Sequence, residues 1–424
     1  MPPDTGPVLL SASRRILLAD CDAMFVAVAR LADPDGAGKA RLLVVGGHAK
    51  SRGVVCSASW EARAFGLKAG MPISRAARLC PEATFVPVPG KACGVKHREI
   101  RAVLDEWVPA VEPASIDEFY LDLSGTEAVY HDEPLARTAE RLRADVLART
   151  GMTLSIGGGT NRLVAKLAAE RAKPRPGTGA TGVLIVPPGG EAEFLADHAL
   201  ADIPGVGPRL QATLARYGLT RVRDALRVDA AIFEQWLGPR SGRWLFERIR
   251  GRSGNVVTPE ESSRSMSHEE TFSRDLQSDE ALETRLLRLV TSLTAEMRSD
   301  GLSTGCITVK IRDYDFKTRQ AGRTLPKPLR TDRALFAVAR ELLTSLRSRR
   351  RTAARLLGVS YSALTVDEVP AQLTLLPELK GDAETPKDRR LATAVDDINE
   401  KLGGKTIGPA RLMKGKEKLR PQIR

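Results

Sequence analysis

Cysteine, histidine and aromatic residues are scarce in this chain, and each scarcity removes a class of function. The five cysteines, Cys21, Cys56, Cys80, Cys93 and Cys306, form no C-x-x-C pair and no zinc spacing. Neither a disulfide framework nor a structural zinc module is therefore encoded, and the five read as reduced, mostly buried small residues. The five histidines are scattered, and His268 reads as a structural side chain rather than a ligand. Aromatic residues are 4% of a sequence that is 42% hydrophobic, which suits globular domains with cores of small side chains. No apolar run approaches the roughly 20 residues that span a bilayer. Met1 to Arg15 carries only the short patch Val8-Leu9-Leu10 with no basic residue before it, unlike a secretory signal. A cytoplasmic protein without a membrane partner is expected.

Acidic residues are also outnumbered. Lys and Arg total 65 against 52 Asp and Glu, a formal net charge of +13 over 424 residues. The length accommodates several domains, and the excess points to a polyanionic partner.

Against that basic background a few carboxylates stand out by position. Ile16-Leu17-Leu18-Ala19 is a short apolar run with strand character, and Asp20 sits where it ends. A charge there must be paired, metal-bound or in reach of solvent. Val108 to Val111 and Phe119 to Leu123 read as two further strands, placing Asp117 and Glu118 at or just after the hairpin turn between them. Neighbours in a regular strand point to opposite faces, so adjacent carboxylates serve one site only where the backbone departs from regularity, as a turn does. Three hard oxygen donors at a sheet end suit Mg²⁺. Two such ions about 3.5–4 Å apart can activate a hydroxyl and stabilise a leaving pyrophosphate. Taken singly, Asp117-Glu118 reads equally as a solvated turn and Asp20 as an ordinary strand terminus.

The longer strings decide between these readings. Asp20-Cys21-Asp22-Ala23-Met24-Phe25, Arg52-Gly53-Val54-Val55, Trp60-Glu61-Ala62-Arg63, Gly70-Met71-Pro72, Ser115-Ile116-Asp117-Glu118, Ala172-Lys173-Pro174 and Pro204-Gly205-Val206-Gly207 follow one another in this order. In that order the chain, from about residue 14 to 366, resembles the Y-family DNA polymerases, above all their bacterial DinB type. The resemblance implies an α/β multidomain right-hand polymerase. Its ferredoxin-like palm would span 14–24 and 87–180, with small fingers at 25–86. A helical thumb with a helix-hairpin-helix at 181–250 and a linker at 251–265 would lead to an α/β little finger at 266–366, followed by a tail at 367–424. The implied activity is low-fidelity, template-directed addition of deoxynucleotides to a primer 3′-hydroxyl in translesion synthesis, with two Mg²⁺ ions and no proofreading exonuclease. Primer-template DNA and deoxynucleoside triphosphates would be the partners of a monomeric enzyme.

Residue by residue, the resemblance implies that Asp20, Asp117 and Glu118 are catalytic and bind the metals, with the Cys21 carbonyl as a further ligand. Phe25 matches the steric gate that collides with a ribose 2′-hydroxyl. Trp60, Arg63 and Lys173 match residues that bind the triphosphate; the planar fork of Arg engages phosphate oxygens in pairs, whereas Lys supplies a point charge. Two positions depart from the pattern. Met24 replaces a usual aromatic and is expected to soften the pocket wall, and Trp60 replaces a usual Tyr, exchanging a hydroxyl for an N–H that only donates. Small residues around Ser57-Ala58-Ser59 suggest a shallow lid over the nascent base pair.

Farther along, Asn161 to Ala172 has helical periodicity through Leu163, Val164 and Leu167, with Asn161 or Thr160 as cap and Lys173 at its end. Gly205 and Gly207, in a turn joining two short helices, would let the backbone approach a DNA phosphate without reading bases. Gly251 to Ser265 reads as a flexible linker. Thr304 to Arg312 alternates, Ile307, Val309 and Ile311 on one face and Thr308, Lys310 and Arg312 on the other, so Lys310 and Arg312 can lie along DNA. Helices are expected at Leu282 to Met297 and Ala334 to Leu346. The run Arg347, Arg349, Arg350 and Arg351 reads either as a solvated helix end or as a phosphate contact. In a tail without a convincing core, Gln372-Leu373-Thr374-Leu375-Leu376 resembles a sliding-clamp peptide, Leu373, Leu375 and Leu376 filling an apolar groove while Gln372 fixes register. Lys401, Lys405, Arg411, Lys414, Lys416 and Lys418 would add nonspecific DNA affinity.

Two other classes compete. A nucleotidyl cyclase shares the carboxylate logic but needs no duplex-binding modules, and a noncatalytic DNA-binding accessory protein has no use for Asp20, Asp117 and Glu118 together.

Overall fold

The computed structural model describes residues 14–175, 177–259, 264–366, 384–402 and 406–413, and the chain divides into two compact units, Met1–Glu261 and Ser262–Arg424. In the first unit, β1 (Ile16–Cys21) turns into α1 (Met24–Ala32), followed by β2 (Leu43–Val45), β3 (Ser57–Ala58), α2 (Trp60–Arg63), α3 (Ile73–Leu79) and β4 (Thr84–Val86). After α4 (Gly90–Trp107), β5 (Ala110–Pro113) and β6 (Glu118–Asp122) make a hairpin, and α5 (Leu135–Thr150), β7 (Leu154–Gly159), α6 (Arg162–Ala172) and β8 (Val183–Ile185) complete the layer.

Five of these strands form one sheet in the order β5-β6-β1-β7-β8. β1 is central, antiparallel to both neighbours, and all six of its residues are buried. The uninterrupted apolar run has this cause: both faces of the strand are covered. Leu17 and Ala19 pack with Val28 of α1, Ile100 and Leu104 of α4 and Leu142 and Val146 of α5. Ile16 and Leu18 pack with Ala165 and Ala169 of α6 on the other face. At Gly157 a Cβ would lie 1.9 Å from the backbone nitrogen of Ala169, so the glycine on β7 is what lets α6 rest directly on the sheet. Asn161, rather than Thr160, caps that helix, its side chain accepting from the N–H groups of Leu163 and Val164 at 3.1 Å each.

Several expected boundaries do not coincide with structural ones. β8 lies beyond residue 180 yet pairs in parallel with β7, because the five-stranded sheet needs it as its edge. The line between 24 and 25 cuts α1, whose Met24 and Val28 belong to the large core while Val26 and Ala29 pack with β2. β2, β3 and β4 form a separate three-stranded sheet in the order β3-β2-β4. Ser57, Ala58 and Ser59 are buried in it instead of forming a lid surface, and Ser59 Oγ donates to the Arg41 carbonyl and accepts from the Ala62 N–H. The expected linker is pinned at its first half: the Thr258 N–H donates to Glu112 at 2.8 Å, Val256 O accepts from Arg162, and Val257 is buried beside Tyr120. β9 of the second unit already begins at Ser265.

The rest of the first unit is helical: α7 (Glu191–Ala196), α8 (Pro208–Ala215), α9 (Val222–Ala225), α10 (Ala230–Leu237) and α11 (Pro239–Arg248). They enclose Leu195, Leu214, Phe233 and Leu245.

The second unit comprises β9 (Ser265–Leu276), α12 (Asp279–Ser299), β10 (Leu302–Asp313), β11 (Thr318–Leu329), α13 (Asp332–Arg349), β12 (Ala354–Val366), α14 (Pro386–Lys401) and α15 (Ala410–Met413). Its sheet has the order β11-β10-β12-β9, antiparallel throughout. Ile307, Val309 and Ile311 are fully buried against Leu286, Val290, Leu293 and Met297 of α12 and Leu335, Ala339 and Leu346 of α13. Both helices start earlier than their apolar stripes, since the first turn of α12 is fixed by Ser278 accepting from the Ala281 N–H rather than by burial. His268 is structural, its Nε2 standing 2.8 Å from a Glu296 carboxylate oxygen.

The arginine run is mostly structural too. Arg347 is buried and donates to Asp279 at 2.6 Å and to the Gln277 carbonyl, and Arg350 pairs with Asp313 and Asp315. Part of the tail is folded without burying any residue of α14. Thr385 and Asp388 form a capping box, and Asp396 pairs with Arg298, which also reaches Asp332. Gln372, Leu373, Leu375 and Leu376 lie outside the described residues, as do Lys405, Lys414, Lys416 and Lys418.

Candidate active site

Ladder register assembles the acidic end of the large sheet. Asp20 on β1 stands directly opposite Glu118 on β6, and the Cys21 N–H donates to the Asp117 carbonyl at 2.8 Å. Ser115 shapes the turn that brings Asp117 to the same end. Its Oγ donates to Asp117 Oδ1 at 2.5 Å and accepts from the N–H groups of Asp117 and Glu118, a local side-chain closure of the kind serine favours in turns. The Ala114 N–H closes the hairpin on the Glu118 carbonyl.

Each carboxylate has its own partner. Lys173 Nζ lies 2.8 Å from Asp20, and Lys166 Nζ donates to both oxygens of Glu118, at 2.5 and 2.6 Å. The three acids are neighbours at one strand end, though among the described residues no three His, Cys, Asp or Glu side chains are already grouped as metal ligands. Like-charge repulsion between adjacent carboxylates explains why each is satisfied separately. The donor set nevertheless fits a divalent cation, offering hard oxygens at one strand end whose charge two ammonium groups neutralise.

Sequence reasoning identified Lys173 but missed Lys166, and with it Glu170, which pairs with Lys173 at 2.7 Å. The signal was present: residues 166, 170 and 173 are spaced four and three apart, one face of a helix. Because α6 lies on the sheet, that face runs past the acidic strand end.

Burial dominates the electrostatics. It pushes the Asp20 carboxyl up to about 6 against the pull of Lys173, with Glu118 and Asp117 adding to the rise. Burial would lower Lys173, but the Asp20 and Glu170 carboxylates outweigh it and hold the ammonium above its ordinary value. Burial likewise raises the Cys21 thiol, leaving an inert side chain. Asp22 is raised by burial even though Ser155 Oγ donates to it at 2.7 Å.

Between β1 and α1 the chain turns through Ala23, whose φ of 47° is left-handed and unusual for alanine. Beyond that turn the half-buried Phe25 packs against the apolar residues of two adjoining cores. Met24 is buried in the large core, against which Phe25 also packs. In α2 the Arg63 guanidinium sits 4.4 Å from the Trp60 ring centroid and donates to the Ala58 carbonyl at 2.9 Å. The indole thus orients the guanidinium.

The two glycines of the turn 203–208 have different reasons to be there. The turn is preceded by a 3-10 segment, Leu200–Asp202, rather than by a full helix. Gly205 has φ +100°, and a Cβ there would lie 2.6 Å from the Trp244 ring, so packing and backbone conformation require it. Gly207 caps α8 and faces open space, which leaves it alone free to approach a phosphate. In the second unit neither predicted contact is unpartnered: Lys310 pairs with Glu269, and Arg312 Nε donates to Thr318 at 2.8 Å. Glu269 reaches Lys310 across Gly358, where a Cβ would meet its side chain at 2.7 Å.

A cavity of about 270 Å³ adjoins Glu118 through Lys166 and is lined also by Tyr120, Arg162, Arg248 and Pro204. A larger one, about 490 Å³, opens among Arg14, Asn161, Glu191 and Arg250 and touches none of the three carboxylates.

Comparison with known proteins agrees in sequence and in fold. The impB/mucB/samB family matches residues 19–170, and the C-terminal domain of the same family matches 263–375. DNA polymerase IV of Caulobacter vibrioides is 34% identical over 94% of this chain and 94% of its own length. DNA polymerase IV of Dehalococcoides mccartyi is 31% identical over 95% and 99%. Among solved structures, a Y-family DNA polymerase chimera of Dbh and Dpo4 superposes with a TM-score of 0.73 at 23% identity, covering 83% of this chain and all of the other. An insertion ternary complex of Dbh DNA polymerase superposes with a TM-score of 0.58 at 25% identity, over 82% and 98%.

Proposed function

The chain belongs to the impB/mucB/samB family, and on that premise we propose that the strand end bearing Asp20, Asp117 and Glu118 is where it joins deoxynucleotides to a primer. It is a low-fidelity, DNA-directed DNA polymerase of translesion synthesis, dependent on divalent metal. The observation that carries the site is the register of Asp20 against Glu118, with Asp117 delivered to the same end by the Ser115 turn.

Asp20, Asp117 and Glu118, with the Cys21 carbonyl, would hold two Mg²⁺ ions. When bound, that pair lowers the pKa of a primer hydroxyl and neutralises the departing pyrophosphate. The chain's own residues do the rest. Lys173 and Arg63 bind and orient the triphosphate, Arg63 steadied by Trp60, and Phe25 excludes a ribose 2′-hydroxyl. Gly207, at the N-terminus of α8, offers backbone N–H groups to a duplex phosphate.

The sheet centred on β1, together with β8, serves as palm, the β3-β2-β4 segment as fingers, α7 to α11 as thumb and the second unit as little finger. Primer-template DNA and deoxynucleoside triphosphates are the substrates. Gln372 to Leu376 docks on a sliding clamp, and the enzyme acts as a monomer. No described helix is long and apolar enough to cross a membrane.

Primer extension tests the reading. Asp117→Ala abolishes Mg²⁺-dependent addition while primer-template binding is largely retained, and extension by that variant at the parent rate would overturn the assignment. A cyclase or a binding-only protein would not extend the primer at all.

A further inference from the structure

Glu170 joins two cations beside the acidic strand end. One of its oxygens lies 2.7 Å from Lys173 Nζ, and the other accepts from the Arg175 guanidinium. Lys173 continues the chain of contacts to Asp20 at 2.8 Å. Arg63 enters the same field from α2: burial, and then the Arg175 charge, hold its guanidinium below the ordinary value while Glu170 opposes them. Lys173 and Arg175 thus share one carboxylate, and the charges of Arg175 and Glu170 both reach Arg63. Both Arg175 and Glu170 keep about half of their side chains in solvent, 42% and 54%, so a ligand can reach them. Cations held this close repel one another unless an anion lies between them, and a ligand carrying several negative charges fits the group better than a single carboxylate does.

Resting on the nucleotide-site reading above, we propose that Arg175 is a third triphosphate-binding cation beside Arg63 and Lys173, and that Glu170 stands in for the triphosphate until the nucleotide replaces it. The exchange swaps one carboxylate for a polyphosphate on the same donors. Lys173 gives its Glu170 contact to phosphate oxygens, and the Arg175 fork takes two oxygens in place of the carboxylate. Glu170 therefore competes with substrate and tunes its affinity, while keeping the cations gathered where the substrate needs them.

The test is equilibrium titration of the full-length protein with dATP and, separately, with inorganic tripolyphosphate, followed by KM and kcat in primer extension. R175A is expected to weaken both ligands about five- to tenfold, with R175K recovering part of the loss, and E170Q to tighten both about two- to fivefold, as for partly exposed charge pairs. KM should move with the dissociation constant while kcat stays within about twofold. K173A and R63A serve as controls. If R175A and E170Q bind like the parent while K173A and R63A weaken, the inference is overturned and the nucleotide site stands. If K173A and R63A are also without effect, the nucleotide site itself is misplaced and both fall. Weakening by R175A without tightening by E170Q would remove the surrogate role of Glu170. R175K retains the charge and the aliphatic stem, so its partial recovery separates loss of a contact from loss of fold.

Discussion

At the residue scale, Asp20 is caught between burial and its lysine. Its folded-state pKa of about 6 lies above the ordinary 3.8, so its contribution to stability is full below pH 4 and lost as pH rises through 6. In chelator, the parent should therefore lose stability across that window relative to Asp20→Asn. At pH 7.5 the variant should be the more stable by about 1–2 kcal/mol after allowing for the orphaned Lys173, although inactive. Thermal melts of both proteins from pH 4 to 8 check this, and parallel curves would sink it. Divalent-ion affinity should likewise fall below pH 6, because the ion must then displace a proton. Phe25→Ala should admit ribonucleotides; unchanged sugar selectivity would remove Phe25 from the gate. The identity of these residues was legible in the sequence. Their partners were not, since Lys166 meets Glu118 only because α6 lies across the sheet.

Elements carry the next set of constraints. α6 is fixed by its Asn161 cap and by Gly157 beneath it. Asn161→Ala should cost about 1 kcal/mol and also loosen the lysines at the far end of the helix, read as a lower melting temperature with a raised KM for nucleotide. The turn before α8 separates packing from binding. Gly205→Ala should destabilise by about 2–3 kcal/mol through left-handed strain and the Trp244 clash, whereas Gly207→Ala, at the N-cap of α8, should cost no more than about 1 kcal/mol and weaken DNA binding. Equal stability losses at the two positions would contradict the distinction. Alternation in β10 and the apolar stripes of α12 and α13 were plain in the sequence, because a period records which face is buried. Helix ends were less so, as at Ser278, where a hydrogen bond and not burial sets the start.

Over the whole molecule, charge and tail anchoring make the predictions. A net charge of +13 predicts DNA affinity that falls steeply with salt through counterion release. Glu269→Gln should raise that affinity by freeing Lys310, most visibly at low salt. In the second unit, Arg298→Met strands the Asp332 and Asp396 carboxylates and should cost about 3 kcal/mol. Amide exchange in α14 should accelerate most, and unchanged protection there would show that the helix is held by other contacts. The sequence by itself determined the strand that ends in Asp20, the hairpin that carries Asp117 and Glu118 and the apolar stripes of α12 and α13, because local period, turn chemistry and motif spacing are written along the chain. Only the tertiary structure decided that Glu118 faces Asp20, that Lys166 and Lys173 neutralise them, that Met24 turns inward and that Lys310 is already paired. Those facts depend on register and packing between segments far apart in the chain, where no periodicity reaches and the geometry of burial chooses each partner.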